Sequence, residues 1–218
     1  MAGAKVVIGP IDAGKLMVVF CLMAAVEAPF RLIPWHEGFS QLLLLGTSRL
    51  IEAALIIGVA LRGKNGLSVV GLSTGKSLSG FRRGLLWSAG FGGIVLLICI
   101  SLQIMGIDPL RFIKTLLPLN TSDLILFFLV GGIISPVTEE LLFRGVVYGF
   151  LRRWGVAPAV ILSSLAFVMA HMDFTGFFYI QVTGGILFAL AYEVEKNLMV
   201  PITLHVMGNL AIYSISFF

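Results

Sequence analysis

Charge is what this chain has least of. Lys, Arg, Asp and Glu make up 12% of its 218 residues, against ~25% in soluble domains. So few polar side chains cannot cover a globular surface, which excludes a water-soluble fold. Low hydrophobicity, the mark of a disordered chain, is also missing: residues of the AVILMFWYC set make up 58% and mean hydropathy is +1.04. Cysteine is scarce. Cys21 and Cys99 are the only two, and without a cluster or a CxxC pair they do not suggest zinc. Both lie in apolar runs and read as buried thiols packing like small hydrophobes. The net charge of +4 is spread over many loops and forms no nucleic-acid patch. No internal repeat or low-complexity tract is apparent.

What is present is a series of long apolar runs. Lone strands cannot satisfy their backbone in lipid, so the spanning elements are helices, each needing about 20 apolar residues. Seven candidates follow: Ile11–Leu32, Phe39–Leu61, Gly84–Ile107, Asp123–Phe150, Val156–Met172, Gly176–Glu193 and Leu198–Phe218. The expected fold is an all-α polytopic transmembrane bundle of about seven helices with a cavity inside the membrane. Residues 62–83 read as a basic Gly/Ser-rich linker, and 108–122 as a surface segment or short interfacial helix. No cleaved signal peptide is expected, because the first apolar run lacks a small-x-small site and a polar domain after it.

The charge bias orients the bundle. With the N-terminus in the cytoplasm, Lys5, Lys15, Arg62, Lys64, Lys76, Arg82, Arg83, Arg152, Arg153 and Lys196 face inward, and only Arg31, Arg111 and Lys114 face outward. That satisfies the positive-inside rule with an odd number of spans. An integral protein of the plasma membrane of a prokaryote is expected.

Three motifs in the loops are decoys. Gly71-Leu72-Ser73-Thr74-Gly75 matches G-x-S-x-G but lacks the strand–turn–helix context of a nucleophile elbow. Gly71 to Ser77 is a P-loop one residue too short. His36-Glu37 lacks the second His of HExxH.

The polar groups within the apolar runs carry the chemistry. Glu139, Glu140 and Arg144 fall within six residues of the fourth helix, an uncompensated insertion penalty of about 8–10 kcal/mol. Arg144 is four residues after Glu140, so the two can pair. Glu139 points about 100° away, lacks that partner and is free to hold a water. Pro136 should kink the helix just before the glutamates, with Gly131 and Gly132 making room. Gly145 and Gly149 form a G-x-x-x-G face for a neighbouring helix. Phe167 and His171 share a face on the fifth helix, and His205 and Asn209 share one on the seventh. Counted from the cytoplasmic helix ends, His205 lies about 10 Å deep, Glu139 about 16 Å and His171 about 22 Å, close enough to share a cavity. A carboxylate and a neutral His around one water make a general-base site, and a second His with an Asn amide can donate to an oxyanion. The same residues could instead hold a metal or relay protons.

In their order and surroundings these motifs resemble the CPBP family, the CAAX-protease and bacteriocin-processing group similar to the Ras-converting enzyme. The resemblance rests on Glu139-Glu140-x-x-x-Arg144 followed by Gly145, on Phe167-x-x-x-His171, and on His205-x-x-x-Asn209 preceded by Asn197, Leu198, Pro201 and Ile202. It covers about residues 123–218; residues 1–122 match only as generic spanning helices and a basic linker, within one integrated membrane domain. It implies an intramembrane endopeptidase of glutamate type, once classed as metal-dependent. In that role Glu139 and His171 activate water, and His205 and Asn209 form the oxyanion hole. Glu140 and Arg144 support the site, and Phe167 shapes it. Glu193 and Glu195 depart from the small or polar turn residues more usual there. Asp173, two residues after His171, reads as a helix end, with orientation of that imidazole as the alternative.

The expected partners are the lipid bilayer and a membrane-anchored protein or peptide substrate, with no nucleic acid. No cofactor is expected, and no metal, since Glu140 serves Arg144 and the donors are needed for the oxyanion. The alternatives are a non-catalytic scaffold or immunity-type protein of the same fold, and a proton-coupled transporter, for which the paired repeats are missing.

Overall fold

The computed structural model describes residues 11–32, 41–171 and 178–218. Among them are seven helices and no strands: α1 Ala13–Leu32, α2 Gln41–Leu61, α3 Ser77–Ile104, α4 Thr121–Trp154, α5 Val156–His171, α6 Phe178–Glu195 and α7 Met199–Ile215. By length and composition α2, α3 and α4 are able to cross a membrane. Large apolar side chains such as Leu86, Leu97 and Ile104 stand exposed along α3, a surface suited to lipid and not to water. Neither cysteine is the buried thiol expected: Cys21 is exposed and Cys99 half-buried, because among the described residues no helix fully covers those faces.

The hub is α4. Asn120 starts it by accepting the Asp123 N–H on its side-chain oxygen at 2.7 Å, the usual N-cap device. From Leu141 to Gly149 every residue is buried, the mark of a helix surrounded by others. Helices α2, α5, α6 and α7 pack on it, α1 packs on α2, and α3 packs on α7. Glycine permits the close approaches. A Cβ on Gly46 would lie 2.8 Å from Val130, and one on Gly84 would lie 2.5 Å from Thr203. Gly155, at φ +111°, turns the chain from α4 into α5.

Two expectations change here. The linker is shorter than 62–83, because α3 begins at Ser77. It is also not loose: Gly66–Val70 forms a 3-10 turn whose Val69 and Val70 are buried. A Cβ on Gly145 would lie 3.0 Å from Val70, so at Gly145 the small face of α4 receives this turn, where a neighbouring helix was expected. Gly71 accepts the Leu198 N–H at 3.0 Å, and Asn197 Nδ2 donates to the Lys76 carbonyl at 3.0 Å.

The same contacts define one end of the bundle. Arg153 donates to the Ile11 carbonyl, and Arg152 holds Glu193 through two 3.0 Å bonds. Glu195 pairs with Arg83 and accepts the Trp87 indole N–H at 3.1 Å. Glu193 and Glu195 thus clamp α6 in opposite directions, to α4 and to α3. At the other end Thr115 N–H donates to Ser216 Oγ at 3.0 Å, which places the segment bearing Arg111 and Lys114 beside the end of α7.

Candidate active site

The glutamates sit on a short α-helical stretch of α4, Ser135–Glu140, between two π-helical stretches, Val130–Ile134 and Leu141–Tyr148. Pro136, which has no N–H to give, lies at the start of the α stretch, just after the first π stretch ends. Such π segments are frequent at functional sites.

Arg144 Nη1 donates to Glu140 Oε1 at 2.9 Å, and neither side chain is exposed. The guanidinium also donates through Nη2 to the Gly185 carbonyl at 2.9 Å, and it lies 4.8 Å from the Phe167 ring centre and 5.3 Å from that of Phe188. The spacing of four residues therefore produces the pair that it predicts.

Glu140 Oε1 takes a second bond. His205 Nδ1 lies 2.8 Å away. Beside a carboxylate already held by an arginine, Nδ1 is the donor. The imidazole stacks on Phe188, with centres 4.5 Å apart and planes at 24°, and meets the edge of Phe167 at 5.8 Å. Its Nε2 points to Glu139, 3.8 Å from Oε2.

His171 approaches the same oxygen from α5. Its Nε2 is 3.7 Å from Glu139 Oε2. Its Nδ1 lies 2.8 Å from the Phe167 carbonyl, which can only accept. The proton is therefore on Nδ1, and Nε2 presents a lone pair to Glu139. Burial falls across the cluster, from His205 and Glu140 through Glu139 to His171, whose side chain is 30% exposed. The site opens on the His171 side.

Glu139, His171 and His205 therefore converge on one point, and Glu140, Arg144 and Phe167 stand directly behind it. Asn209 is placed differently: its Nδ2 donates to the Gly131 carbonyl at 2.9 Å. Asp173 and His36-Glu37 lie outside the described residues. Gly185 and Phe188 were not anticipated. One contributes a backbone carbonyl and the other a ring, and neither leaves a motif. A second charged group also lies beside α4. Arg49 bonds Glu52 at 2.6 Å and Glu27 at 3.2 Å, while its own carbonyl lies 3.0 Å from the Thr138 hydroxyl. The spacing of Arg49 and Glu52 within an apolar run was the visible signal for this pair.

Residues 121–211 match the family model described as type II CAAX prenyl endopeptidase Rce1-like. The segment that builds the site is similar to that family. Two curated relatives are similar to this chain. The membrane-embedded CAAX protease MroQ of Staphylococcus aureus (strain USA300) is 38% identical over 104 residues, 41% of this chain and 42% of that protein. The putative membrane peptidase YdiL of Bacillus subtilis (strain 168) is 32% identical over 85 residues, 38% of this chain and 34% of that protein. The chain thus spans less than half the length of either relative. No solved structure matches it. The matched segment holds every residue of the cluster, from Glu139 to Asn209; the Arg49 group lies before it.

Proposed function

We propose that this chain is an intramembrane endopeptidase that hydrolyses a peptide bond of a membrane-anchored protein or peptide. The observation that carries the proposal is Glu139 Oε2 facing two imidazole nitrogens at 3.7 and 3.8 Å. These separations exceed a direct hydrogen bond and suit a water held between the groups. Such a water gives one hydrogen to Glu139 and the other to the lone pair of His171 Nε2. Its oxygen attacks the carbonyl carbon, the carbonyl π pair moves to oxygen, and Glu139 takes the proton. Collapse breaks the C–N bond and returns that proton to the leaving amine. Protonating His205 brings the formal charge of Glu139, Glu140, Arg144 and His205 to zero, which suits a buried cluster. His205 Nε2–H then donates to the oxyanion.

The name of the family model and the peptidase names of both relatives support this reading. The gathering of basic residues at the end formed by α1, α4 and α6 supports a seven-span topology with that end, and the N-terminus, in the cytoplasm.

The test compares wild type with Glu139→Gln in the same cells, sequencing the new N-termini in the membrane fraction. A defined set of cleavage products is expected with wild type alone. Identical sets, with both proteins accumulating, would replace the peptidase by a non-catalytic scaffold of the same fold. On a purified product peptide, Glu139→Gln should lose about 10²–10⁴-fold in turnover.

A further inference from the structure

One polar side chain beside the site has no task in the mechanism. Gln181 lies in the apolar helix α6, and its Oε1 is buried with no hydrogen-bond partner among the described residues. An amide oxygen taken out of water without a donor is costly. The register of α6 places it. Gln181, Gly185, Phe188 and Tyr192 recur at helical spacing and share a face, and the last three are buried. Phe188 stacks on His205, and the Gly185 carbonyl accepts Arg144 Nη2. A Cβ on Gly185 would lie 3.2 Å from Ser164 Cβ and 3.5 Å from Phe167 Cδ1 on α5. Helix α6 runs against α5, since its last turns reach Tyr148 and Arg152 on α4, just before α5 begins. Gln181 is one turn back from Gly185 on α6. His171 is one turn on from Phe167 on α5, with its ring 4.5 Å from the Phe167 ring. Gln181 and His171 thus flank the same end of the α5–α6 contact, the side on which the site opens.

We propose that Gln181 binds the main chain of the substrate, its Oε1 accepting one backbone N–H of the peptide that lies across the site. This deepens the peptidase reading and rests on it. A peptide carries an N–H at every residue except proline, and within a membrane each N–H needs an acceptor. A side-chain amide supplies one without bringing a further charge to the cluster. The contact lies away from the reacting carbonyl and is made equally in the ground state and the transition state, so it sets KM and not kcat. The water, the oxyanion and the leaving amine stay with the groups already described.

The experiment uses the full chain in detergent as wild type, Gln181→Met and Gln181→Leu. The substrate is the peptide that the Glu139→Gln comparison identifies, with analogues in which each backbone N–H in turn is replaced by an ester oxygen. Gln181→Met keeps the length of the side chain and removes the amide. It should raise KM about 5–10-fold with kcat nearly unchanged, the effect of lost uniform binding. Melting temperature should stay equal or rise, because a buried oxygen without a partner is gone. One ester analogue should show the same rise in KM with wild type and no further rise with Gln181→Met, the signature of two groups in contact. KM unchanged in the variants would overturn the proposal, and so would losses that add at every ester position. A fall in kcat with KM unchanged would also overturn it, placing Gln181 among the reacting groups. If Gln181→Leu does not accumulate, Gln181→Met decides alone. If wild type cleaves nothing, the peptidase reading fails and this proposal with it. If wild type cleaves and the variants keep its KM, this proposal fails alone.

Discussion

His205 Nδ1 and Arg144 Nη1 meet on a single oxygen of Glu140, at 2.8 and 2.9 Å. Glu140 is thus the joint between the cation that makes it tolerable in the membrane and the imidazole that it orients. Removing the cation leaves a fully buried carboxylate uncompensated. Arg144→Met is expected to destabilise the protein by about 3–5 kcal/mol, read as a loss of melting temperature in detergent. Adding Glu140→Gln should recover part of that loss. Glu140→Gln alone keeps an acceptor for both partners but loses the charge behind His205, so it should lower kcat more than it lowers melting temperature.

Behind His205 stands a carboxylate, where behind His171 stands a backbone carbonyl. The Phe167 carbonyl holds its Nδ1 proton, which fixes the neutral tautomer with Nε2 toward Glu139. It is also the most open member of the cluster. His171→Ala should therefore cost little stability, within about 0.5 kcal/mol, and about 10²-fold or more in turnover. Melting temperature and kcat measured on the same preparation check this. A large loss of stability with little loss of turnover would make His171 a packing residue.

The Gly71 to Gly75 motif has a structural explanation. Gly71 lies at φ +79°, and a Cβ there would come 2.3 Å from Tyr192 Oη. Tyr192 is fully buried beneath it. Gly71→Ala should thus destabilise by about 1–3 kcal/mol through overpacking, with added strain from the left-handed backbone. Ser73→Ala should leave both stability and peptide turnover as in wild type. Loss of turnover in Ser73→Ala with the fold intact would reinstate a serine nucleophile.

The helices were legible because hydrophobic runs and charged boundaries report spanning length directly. The start of α3 was not. Arg82 and Arg83 look like linker, yet they lie on its second turn, where Arg83 reaches Glu195. The pairing of Glu140 with Arg144 follows from helical spacing alone. The π turns around Pro136 were hidden, because a shift from four to five residues in a backbone ladder leaves no mark on composition. Depth counted along straight helices spread the site over about 12 Å, whereas the structure closes Glu139, His171 and His205 to within 3.8 Å of Glu139 Oε2. Residue counting omits side-chain reach. Phe188 escaped notice because a ring stacked on His205 from another helix has no local spacing to betray it.

The convergence of two imidazoles and a carboxylate raises the question of metal. Tetrahedral zinc binds nitrogen and oxygen ligands at about 2.0–2.2 Å, which sets neighbouring ligand atoms close to the 3.7 and 3.8 Å observed around Glu139 Oε2, so spacing alone does not decide. No group of three or more His, Cys, Asp or Glu side chains among the described residues is arranged to hold a metal ion. Charge points the same way. In the proposed mechanism His205 Nε2–H serves the oxyanion, and a nitrogen that bears that proton cannot be a ligand. A divalent ion would have to displace that proton within reach of the Arg144 guanidinium. Turnover is therefore expected to survive chelation. The check is to strip metals from the detergent-solubilised protein and to measure zinc content and peptide cleavage on the same sample. Zinc present at one per chain, lost together with activity and restoring it on return, would reverse the assignment. It would make His171, His205 and Glu139 ligands through the three atoms that face one another, with the Phe167 carbonyl and Glu140 holding the two imidazoles from behind.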